Sequence, residues 1–320
     1  MRKALLVLAL LAGTAQAQAQ FPDYPNKPVR MVVGFPPGGG TDVVARILSP
    51  RMTELLGQPI VIENRPGATG TMAAGQVAKS PPDGYTIMMG HVSVNAIAPA
   101  LFANLPYDVI KDFAPVAIAA AVPHLVTVHP SVQAQNLKEL IRFLKSKPEL
   151  TFPSAGNGSM PHLAGEIFQS LAGVKLVHVP YKGTGPNLVD LVAGRTHATS
   201  AGTPPLMPHV KSGKLRVIAV GTPRRLEALP DVATVAEQGY PGFETSQWYG
   251  LNAPAKTPPA LIKRLADEAA KAVKSAAVIE RFKADDAESV GSTPQEYADY
   301  IAKEQARWKE VIQKAGVKAD

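Results

Sequence analysis

The regular alternation of short apolar runs with longer helix-period segments restricts the fold of this chain more than any other feature of the sequence. Six runs rich in β-branched and apolar residues are predicted as strands, namely Val29–Val33, Ile60–Glu63, Tyr85–Met89, Leu125–Val128, Leu176–Val179 and Leu215–Val220. Four segments with helical spacing lie between them, namely Val43–Leu56, Leu137–Lys145, Leu163–Leu171 and Leu188–Ala193. This alternation is typical of β-α-β units, so the sequence predicts an α/β fold with parallel strands.

Two helix starts carry clear capping signals. Asn136 is followed by Glu139, and Thr293 is followed by Pro294 and Glu296, so an acidic residue stands at the third helical position each time. The second signal begins a long amphipathic segment, roughly Pro294 to Lys314, which we interpret as a surface brace and not as a membrane-binding helix.

The N-terminus has the pattern of a secretory signal peptide over residues 1–19. Arg2 and Lys3 precede the apolar run Ala4–Ala12, and Ala15-Gln16-Ala17 or Ala17-Gln18-Ala19 offers a small-x-small cleavage site. The apolar run is too short to span a bilayer, and no later segment approaches the roughly 20 apolar residues of a transmembrane helix. The sequence therefore predicts a soluble, exported protein.

Cysteine content and charge narrow the classes of function. The chain contains no cysteine, which excludes a lipidated cysteine, disulfides and thiolate metal sites. About 300 residues would remain after residues 1–19, enough for two domains. The net charge of +7 falls to +5 without Arg2 and Lys3, and the basic residues are scattered. A nucleic-acid surface is therefore not expected, whereas anionic small molecules are compatible with the charge.

The stretch VVGFPPGGGTDVVARI, from Val32 to Ile47, ends a predicted strand in two prolines and three glycines and then becomes helical. Loops of this kind lie at the carboxyl ends of strands, where ligands bind in such sheets. Exposed N–H groups and the dipole of the following helix suit an anion. A Walker loop is excluded because Gly40 stands in place of its lysine, and a dinucleotide fingerprint because Val43 stands in place of its third glycine. A carboxylate remains possible; the alternative is a tight turn in which Asp42 only caps its helix.

Three further strand-to-helix loops repeat this chemistry. One contains Ser154, Gly156, Asn157 and Ser159; a second contains Tyr181, Lys182, Gly183, Thr184 and Gly185; a third contains Gly90, His91, Ser93 and Asn95. We expect the four loops to converge on one cleft. The alternative is that each is an ordinary connection between a strand and a helix.

Four segments of the sequence together resemble one protein family. They occur in order from about Tyr24 to the C-terminus and read YPNKPVRMVVGFPPGGGTDVVAR, GQPIVIENRPGATGTMAAGQVAKSPPDGYTIMMG, VPYKGTGP and WYGLNAPAKTP. They are similar to the periplasmic solute-binding proteins of tripartite tricarboxylate transporters, often called the Bug family. The resemblance implies a two-lobed type II periplasmic-binding-protein fold, each lobe a mostly parallel sheet flanked by helices, with the ligand between the lobes.

The resemblance also implies the domain boundaries. Two extended segments, near Pro123–Val128 and near Phe243–Leu251, would cross between the lobes. Lobe one would comprise residues 24–124 and 248–320, and lobe two would comprise residues 125–247. The return of the C-terminus to lobe one follows from the resemblance alone.

The resemblance implies a carboxylate held largely by backbone groups and bound waters of both lobes. The implied ligand-binding residues are Phe35, Gly38, Gly39, Thr41 and Asp42 in lobe one, and Ser154, Gly156, Asn157, Tyr181, Lys182, Gly183 and Thr184 in lobe two. His91, Ser93 and Asn95 join this set because of their Gly/Ser loop, and Trp248 joins it by family position or else is a buried aromatic beside the hinge. Many relatives carry a Phe-Asp pair where this chain has Ser200-Ala201, which favours a plain carboxylate over an amino acid.

Catalytic and metal-binding alternatives have weaker support. Ser159 and His162 could meet on one helix face, but there is no G-x-S-x-G motif and no identifiable acidic third member. His162 and Glu166 could supply two metal ligands, fewer than the three or four that a site needs. We therefore expect no catalytic residues, no metal and no cofactor.

The sequence predicts a monomeric extracytoplasmic protein that captures a small carboxylate and delivers it to the membrane subunits of a tripartite tricarboxylate-type transporter. Two alternatives remain: a ligand sensor that acts on a signalling partner, and a secreted serine hydrolase that uses Ser159 and His162. The identity of the carboxylate is not encoded in these motifs, because the expected contacts are mostly with the backbone.

Overall fold

The computed structural model describes residue 21 and residues 23–147, 150–241 and 243–317. The strands in these ranges are β1 (Val29–Val33), β2 (Ile60–Asn64), β3 (Thr86–His91), β4 (Phe113–Val128), β5 (Thr151–Ser154), β6 (Val177–Pro180), β7 (Ala198–Gly202), β8 (Arg216–Val220), β9 (Ser246–Pro254) and β10 (Glu288–Ser289). The α-helices are α1 (Gly40–Leu56), α2 (Thr71–Ala78), α3 (Ala98–Leu101), α4 (Leu137–Lys145), α5 (Met160–Ala172), α6 (Thr184–Val192), α7 (Thr203–Lys211), α8 (Pro259–Val273), α9 (Ala276–Lys283) and α10 (Pro294–Ala315). A 3₁₀ turn (Ala68–Gly70) and a π-helical turn (Ser93–Ile97) complete the description. The predicted signal peptide at residues 1–19 lies outside these ranges.

The first sheet has the strand order β10-β4-β9-β3-β1-β2. Strand β1 pairs in parallel with both β2 and β3, whereas β9 is antiparallel to β3 and to β4. Strand β4 therefore runs in the same direction as β1, β2 and β3. Four of the six strands share one direction, and they bring their carboxyl ends to one edge of the sheet.

Strand β4 connects this sheet to a second one. Its first part, Phe113–Pro123, pairs with β9, and its last part, His124–Val128, pairs with β7 and β8. Strands β5 and β6 form a parallel pair beside the second sheet. We use lobe one for the first sheet with its helices, including α8, α9 and α10, and lobe two for the second sheet with α4 to α7. The predicted α/β, two-lobed fold class is confirmed.

Helices cover both faces of the first sheet, which explains why β1 is apolar throughout. Successive residues of a strand point to opposite faces. Val29, Met31 and Val33 belong to one buried cluster together with residues of α1 and α8, while Val32 belongs to another together with residues of α2 and α10. A strand buried on both faces has no polar positions to alternate with apolar ones.

Several elements agree with the sequence-based predictions, and others start earlier. Helix α4 has the predicted bounds, with the Asn136 side chain accepting a hydrogen bond from the Glu139 N–H at 2.9 Å. The capping box of Thr293 and Glu296 is also present. Strand β4 begins at Phe113, whereas the predicted strand begins at Leu125. The sequence pattern missed the first part of the strand because that part contains two prolines and many alanines.

Helices α1, α5 and α6 each begin three or four residues before the segment with helical apolar spacing that predicted them. Their first residues are Gly40, Met160 and Thr184, whereas the periodic segments begin at Val43, Leu163 and Leu188. The first turns of α1 and α6 contain glycine and threonine instead of periodic apolar residues, and both turns line the cavity between the lobes. The first residue of α5, Met160, instead lies in a buried core cluster. Within the described residues, no helix has both the length and the apolar character needed to cross a membrane.

Candidate functional site

A cavity between the lobes lies where several strand-to-helix loops meet. We call it the inner cavity; its empty space is about 310 Å³, part of it open to solvent. It is lined by Phe35, Gly39, Gly40 and Thr41 from the β1–α1 loop, His91 from β3, Ala155, Ser159 and Pro161 from the β5–α5 loop, Thr184 from α6, and Gln247 and Tyr249 from β9. The cavity thus has walls from both lobes, and β9 of the first sheet contributes to the wall of lobe one.

The β1–α1 loop is held in shape by the buried carboxylate of Asp42. This carboxylate accepts hydrogen bonds from the Gly38 N–H, the Arg46 Nε and the Asn64 Nδ2, each at 2.9 Å. Burial alone would raise the pKa of Asp42, but the hydrogen bonds from Arg46, Gly38 and Asn64 and the charge of Arg46 hold this pKa below its usual value. Asp42 therefore stabilises the turn that presents the loop backbone.

The structure explains the presence of glycine at two of the three consecutive positions in this loop, and the explanation differs between them. Gly38 has a φ of +78°, a left-handed conformation that side chains rarely adopt. A β-carbon on Gly40 would overlap the hydroxyl of Tyr249, so β9 requires glycine at this position. Gly39 has a φ of −81°, and a β-carbon there would make only ordinary contacts of 3.6 Å or more. Space and backbone conformation therefore account for Gly38 and Gly40 but not for Gly39.

The β5–α5 loop is ordered by hydrogen bonds within lobe two. The Ser159 hydroxyl caps α5 by accepting a hydrogen bond from the His162 N–H at 3.2 Å, and the His162 Nδ1 accepts one from the Gly158 N–H at 3.2 Å. The Ser154 hydroxyl accepts one from the Gly156 N–H at 3.0 Å. These bonds direct the loop toward lobe one.

Direct contacts join the two lobes around the cavity. The Ser93 hydroxyl accepts a hydrogen bond from the Met160 N–H at 3.0 Å, and the Thr69 hydroxyl donates one to the Asn157 carbonyl at 2.6 Å. A β-carbon on Gly185 would lie 2.6 Å from the Pro37 carbonyl oxygen of the other lobe. The lobes are therefore closed on each other, and glycine lets their backbones approach.

The contact at Thr69 comes from a strained segment. Four consecutive residues, Gly67, Ala68, Thr69 and Gly70, have positive φ values, with Ala68 at +43° and Thr69 at +54°. Such conformations cost about 1–3 kcal/mol for each non-glycine residue and persist where the surroundings hold them. This segment lines a second, more open cavity, which we call the outer cavity, of about 1140 Å³ including solvent space; Lys182 lines its opposite wall.

Comparison with known proteins identifies the family. The profile described as "Tripartite tricarboxylate transporter family receptor" (TctC) matches residues 44–317. Protein BugT of Bordetella pertussis is 38% identical to the chain over 322 residues, which cover 99% of each sequence. The chain belongs to this family. The resemblance noted in the sequence is thereby confirmed.

Solved structures of similar proteins include two that contain carboxylates. The structure of Rpa4515 from R. palustris with adipate is 36% identical, has a TM-score of 0.89, and covers 92% of this chain and 99% of that one. The structure of MatC from Rhodopseudomonas palustris with bound malate is 34% identical, has a TM-score of 0.87, and covers 90% of this chain and 100% of that one.

Members of the TctC family are periplasmic solute-binding receptors, so the prediction that this chain is not an enzyme is confirmed. The hydrolase alternative is wrong. In the structure the Ser159 hydroxyl caps α5 by accepting a hydrogen bond from the backbone N–H of His162. In the described part of the chain, no group of three or more His, Asp or Glu residues could hold a metal ion.

In this TctC receptor, the predicted site residues fall into three sets. Those that line the inner cavity are Phe35, Gly39, Thr41, His91 and Thr184. Those that line the outer cavity are Gly156, Asn157, Tyr181 and Lys182. Those that line neither cavity are Gly38, Asp42, Ser93, Asn95, Ser154, Gly183 and Trp248.

The residues of the third set support the site or lie in a core. Asn95 donates a hydrogen bond to the Tyr297 hydroxyl at 2.9 Å, and the Trp248 indole donates one to Glu304 at 3.1 Å. Both side chains are therefore directed into the interior of lobe one. Ligand contact by any member of the three sets stays a prediction.

Sequence reasoning omitted six residues that line the inner cavity: Gly40, Ala155, Ser159, Pro161, Gln247 and Tyr249. Gly40 and Ser159 lie in loops that the sequence predicted to form the site, so the sequence located their position although it did not single them out. Gln247 immediately precedes the WYGLNAPAKTP motif, and nothing in its own sequence context indicates a site.

Proposed function

We propose that this receptor captures a small carboxylate in the inner cavity and delivers it to the membrane subunits of a tripartite tricarboxylate-type transporter. The observation that carries this proposal is the convergence of three helix starts on the cavity. Helix α1 begins after Gly39, α5 begins after Ser159, and α6 begins at Thr184. Each helix N-terminus carries roughly half a positive charge and free N–H donors, which together favour an anion.

The charge balance of the cavity supports a carboxylate over a phosphate. Among the described residues that line the inner cavity, none is an Asp, Glu, Lys or Arg. The nearby Asp42 carboxylate is balanced by Arg46 at 2.9 Å. A singly charged group held by backbone donors fits this environment better than a doubly charged one, which usually requires Arg or Lys.

Relatives support the ligand class. Two similar proteins have been solved with adipate and with malate, both dicarboxylates. In this chain Ala201 occupies the position at which many relatives carry an aspartate, so an ammonium group would lack that partner. We therefore favour a mono- or dicarboxylate without an amino group, held by the predicted residues of the inner cavity. The outer cavity, with Lys182, would accept a longer ligand's distal end.

Lobe closure is the proposed mechanism of capture. A ligand shifts an equilibrium only by binding one state more tightly than the other. The inner cavity has walls from both lobes, so a ligand would make its full set of contacts only in the closed state. The β4 and β9 segments that cross between the lobes would provide the hinge.

The partner and the location complete the proposal. The signal pattern of residues 1–19 supports export to the periplasm, where the protein would act as a monomer. A sensor role with a signalling partner is the alternative to transport, and it would use the same cavity. The identity of the genes adjacent to this one distinguishes the two roles, since permease genes support transport and kinase-type genes support sensing.

A thermal-shift screen tests the proposal. Mono- and dicarboxylates, sugars, nucleotides and inorganic phosphate would each be added to the purified protein. We expect a carboxylate to raise the melting temperature, because a ligand at about a hundredfold its Kd stabilises the folded state by about 2.7 kcal/mol. Shifts from sugars or nucleotides with none from carboxylates would overturn the proposal.

A further inference from the structure

Gln247 lines the inner cavity and lies near the start of β9, where it pairs with Val122 of β4. Its side chain is 5% exposed, and its Oε1 is 2.7 Å from the Nε2 of His91. A buried glutamine has one acceptor and two N–H donors to satisfy. The orientation of this amide determines whether the carbonyl oxygen or the N–H donors of Gln247 face the cavity.

His91 determines that orientation through its tautomer. The Nδ1 of His91 accepts a hydrogen bond from the backbone N–H of Ser93 at 3.1 Å, so Nδ1 carries no proton. Burial lowers the pKa of His91 to about 4, so the ring is neutral at physiological pH and its proton is on Nε2. That N–H donates to the Gln247 carbonyl, and the Gln247 amide nitrogen must therefore point away from His91.

The amide nitrogen points toward two helix starts. A β-carbon on Gly40, the first residue of α1, would lie 3.7 Å from the Gln247 Nε2. A β-carbon on Gly202, the N-cap of α7, would overlap the same atom. The N-termini of both helices and the amide hydrogens all carry positive partial charge.

Amide hydrogens of Gln247 that lie beside two helix N-termini repel their positive partial charge unless a hydrogen-bond acceptor lies between them. Within the described residues, His124 is the side chain that faces the Gln247 amide and interacts with it by hydrogen bonding. Burial lowers the pKa of His124 to about 3, so its ring is neutral, and its buried Nε2 has no other partner in these residues. Even with one amide hydrogen directed to His124, the second remains for the cavity.

We infer that Gln247 is a specificity-determining residue whose amide, oriented by His91, donates a hydrogen bond to an oxygen of the bound carboxylate. This inference rests on the proposed function and adds a residue that belongs to β9. It makes the cavity selective for acceptor groups. A ligand bound there contacts β9 directly, as well as the loops of both lobes.

Two substitutions separate this role from a structural one. Gln247→Glu keeps the size of the side chain but places a carboxylate oxygen where the amide nitrogen was, so it should repel an acid and attract an amide. Gln247→Met keeps a similar length and removes only the polar groups. The melting temperature of each variant without ligand shows whether the fold is intact.

The probes are adipate and malate, each compared with its monoamide by calorimetric titration. We expect Gln247→Met to weaken binding of the acid by about tenfold to a hundredfold, the usual effect of one hydrogen bond to a charged group. We expect Gln247→Glu to lose more affinity for the acid and to shift the acid-to-amide preference toward the amide. A purely structural role would not produce that shift.

The outcomes distinguish this inference from the proposed function. If the wild-type protein binds an acid and Gln247→Glu retains the wild-type preference between acid and amide, the role of Gln247 is overturned and the proposed function stands. If the wild-type protein binds neither acid nor any other carboxylate, both are overturned. A shift toward the amide in Gln247→Glu supports both.

Discussion

Substituting Gly185 by alanine should weaken ligand binding without harming the fold. Gly185 lies in the first turn of α6, and a β-carbon there would stand 2.6 Å from the Pro37 carbonyl oxygen of the other lobe. The obstacle is backbone and cannot rotate away. An open protein would accommodate the methyl group freely, because Gly185 does not have a left-handed conformation.

The size of the effect follows from this geometry. Ordinary van der Waals contacts begin near 3.4 Å, so the lobes would have to separate by about 0.8 Å at this point. Overpacking of this kind costs about 1–3 kcal/mol, which corresponds to a Kd about 5 to 150 times higher. The same substitution favours the helix by up to about 1 kcal/mol. The melting temperature without ligand should therefore stay the same or rise while affinity falls.

Calorimetric titration with the best carboxylate of the screen measures the affinity, and Val189→Ala on the same helix is the control. Val189 is exposed and lines neither the inner nor the outer cavity, so this variant should bind like the wild type. Equal affinities for Gly185→Ala and the wild-type protein would refute the argument, because the lobes would then not meet at Pro37 in the bound form.

Two further predictions concern the hydrogen bond from Thr69 to Asn157, which we call the latch between the lobes, and the β1–α1 loop. Thr69→Val removes the hydrogen bond to the Asn157 carbonyl and should raise Kd about fivefold, the equivalent of about 1 kcal/mol, mainly through faster dissociation in stopped-flow experiments. Thr69→Ser, which keeps the hydroxyl, should restore the slow rate, and equal rates for all three proteins would exclude a latch. Asp42→Asn should lower the free energy of unfolding by about 1–3 kcal/mol at pH 7 in urea titrations. The folded-state pKa of Asp42 lies below its usual value of 3.8, so the ionised carboxylate contributes its full stabilisation above pH 3.8. The difference in unfolding free energy between Asp42→Asn and the wild type should therefore shrink as the pH falls through the folded-state pKa. A difference that stays constant from pH 5 to pH 2 would contradict this role.

Much of the fold was predictable because its signals are local. The spacing of apolar residues in Leu137–Lys145 and the caps Asn136 and Thr293 act within a few residues of chain, and the structure has those helices as predicted. Strand β1 was found because helices cover both of its faces, which makes it apolar throughout.

Elements at the junction of the lobes were harder to predict because their sequences satisfy two environments. The first part of β4 carries Pro115 and Pro123 within a strand, which sequence rules assign to edges or turns. Gly40 and Thr184 begin helices whose first turns lack the apolar spacing that marks a helix, because these residues line the cavity between the lobes. At these positions, contacts with distant parts of the chain determine the secondary structure more than the local sequence preference does.

Within the candidate site, polar residues outside the four strand-to-helix loops gave no signal in the sequence. Gln247 became a candidate only because His91, 156 residues away in sequence, fixes its amide. Asp42 was expected among ligand-binding residues, yet its three hydrogen bonds with Gly38, Arg46 and Asn64 are visible only in three dimensions. Sequence motifs located the loops correctly, while the direction of each side chain depends on the packing of the whole chain.

Native mass spectrometry of the protein purified from its native host tests the central claim most directly. The central claim is that closed lobes hold a carboxylate between them. We predict a one-to-one complex whose added mass and fragmentation match a carboxylic acid, and we predict that Gly185→Ala purified in the same way carries much less of it. A bound sugar or nucleotide, or an acid retained equally by Gly185→Ala, would contradict the account.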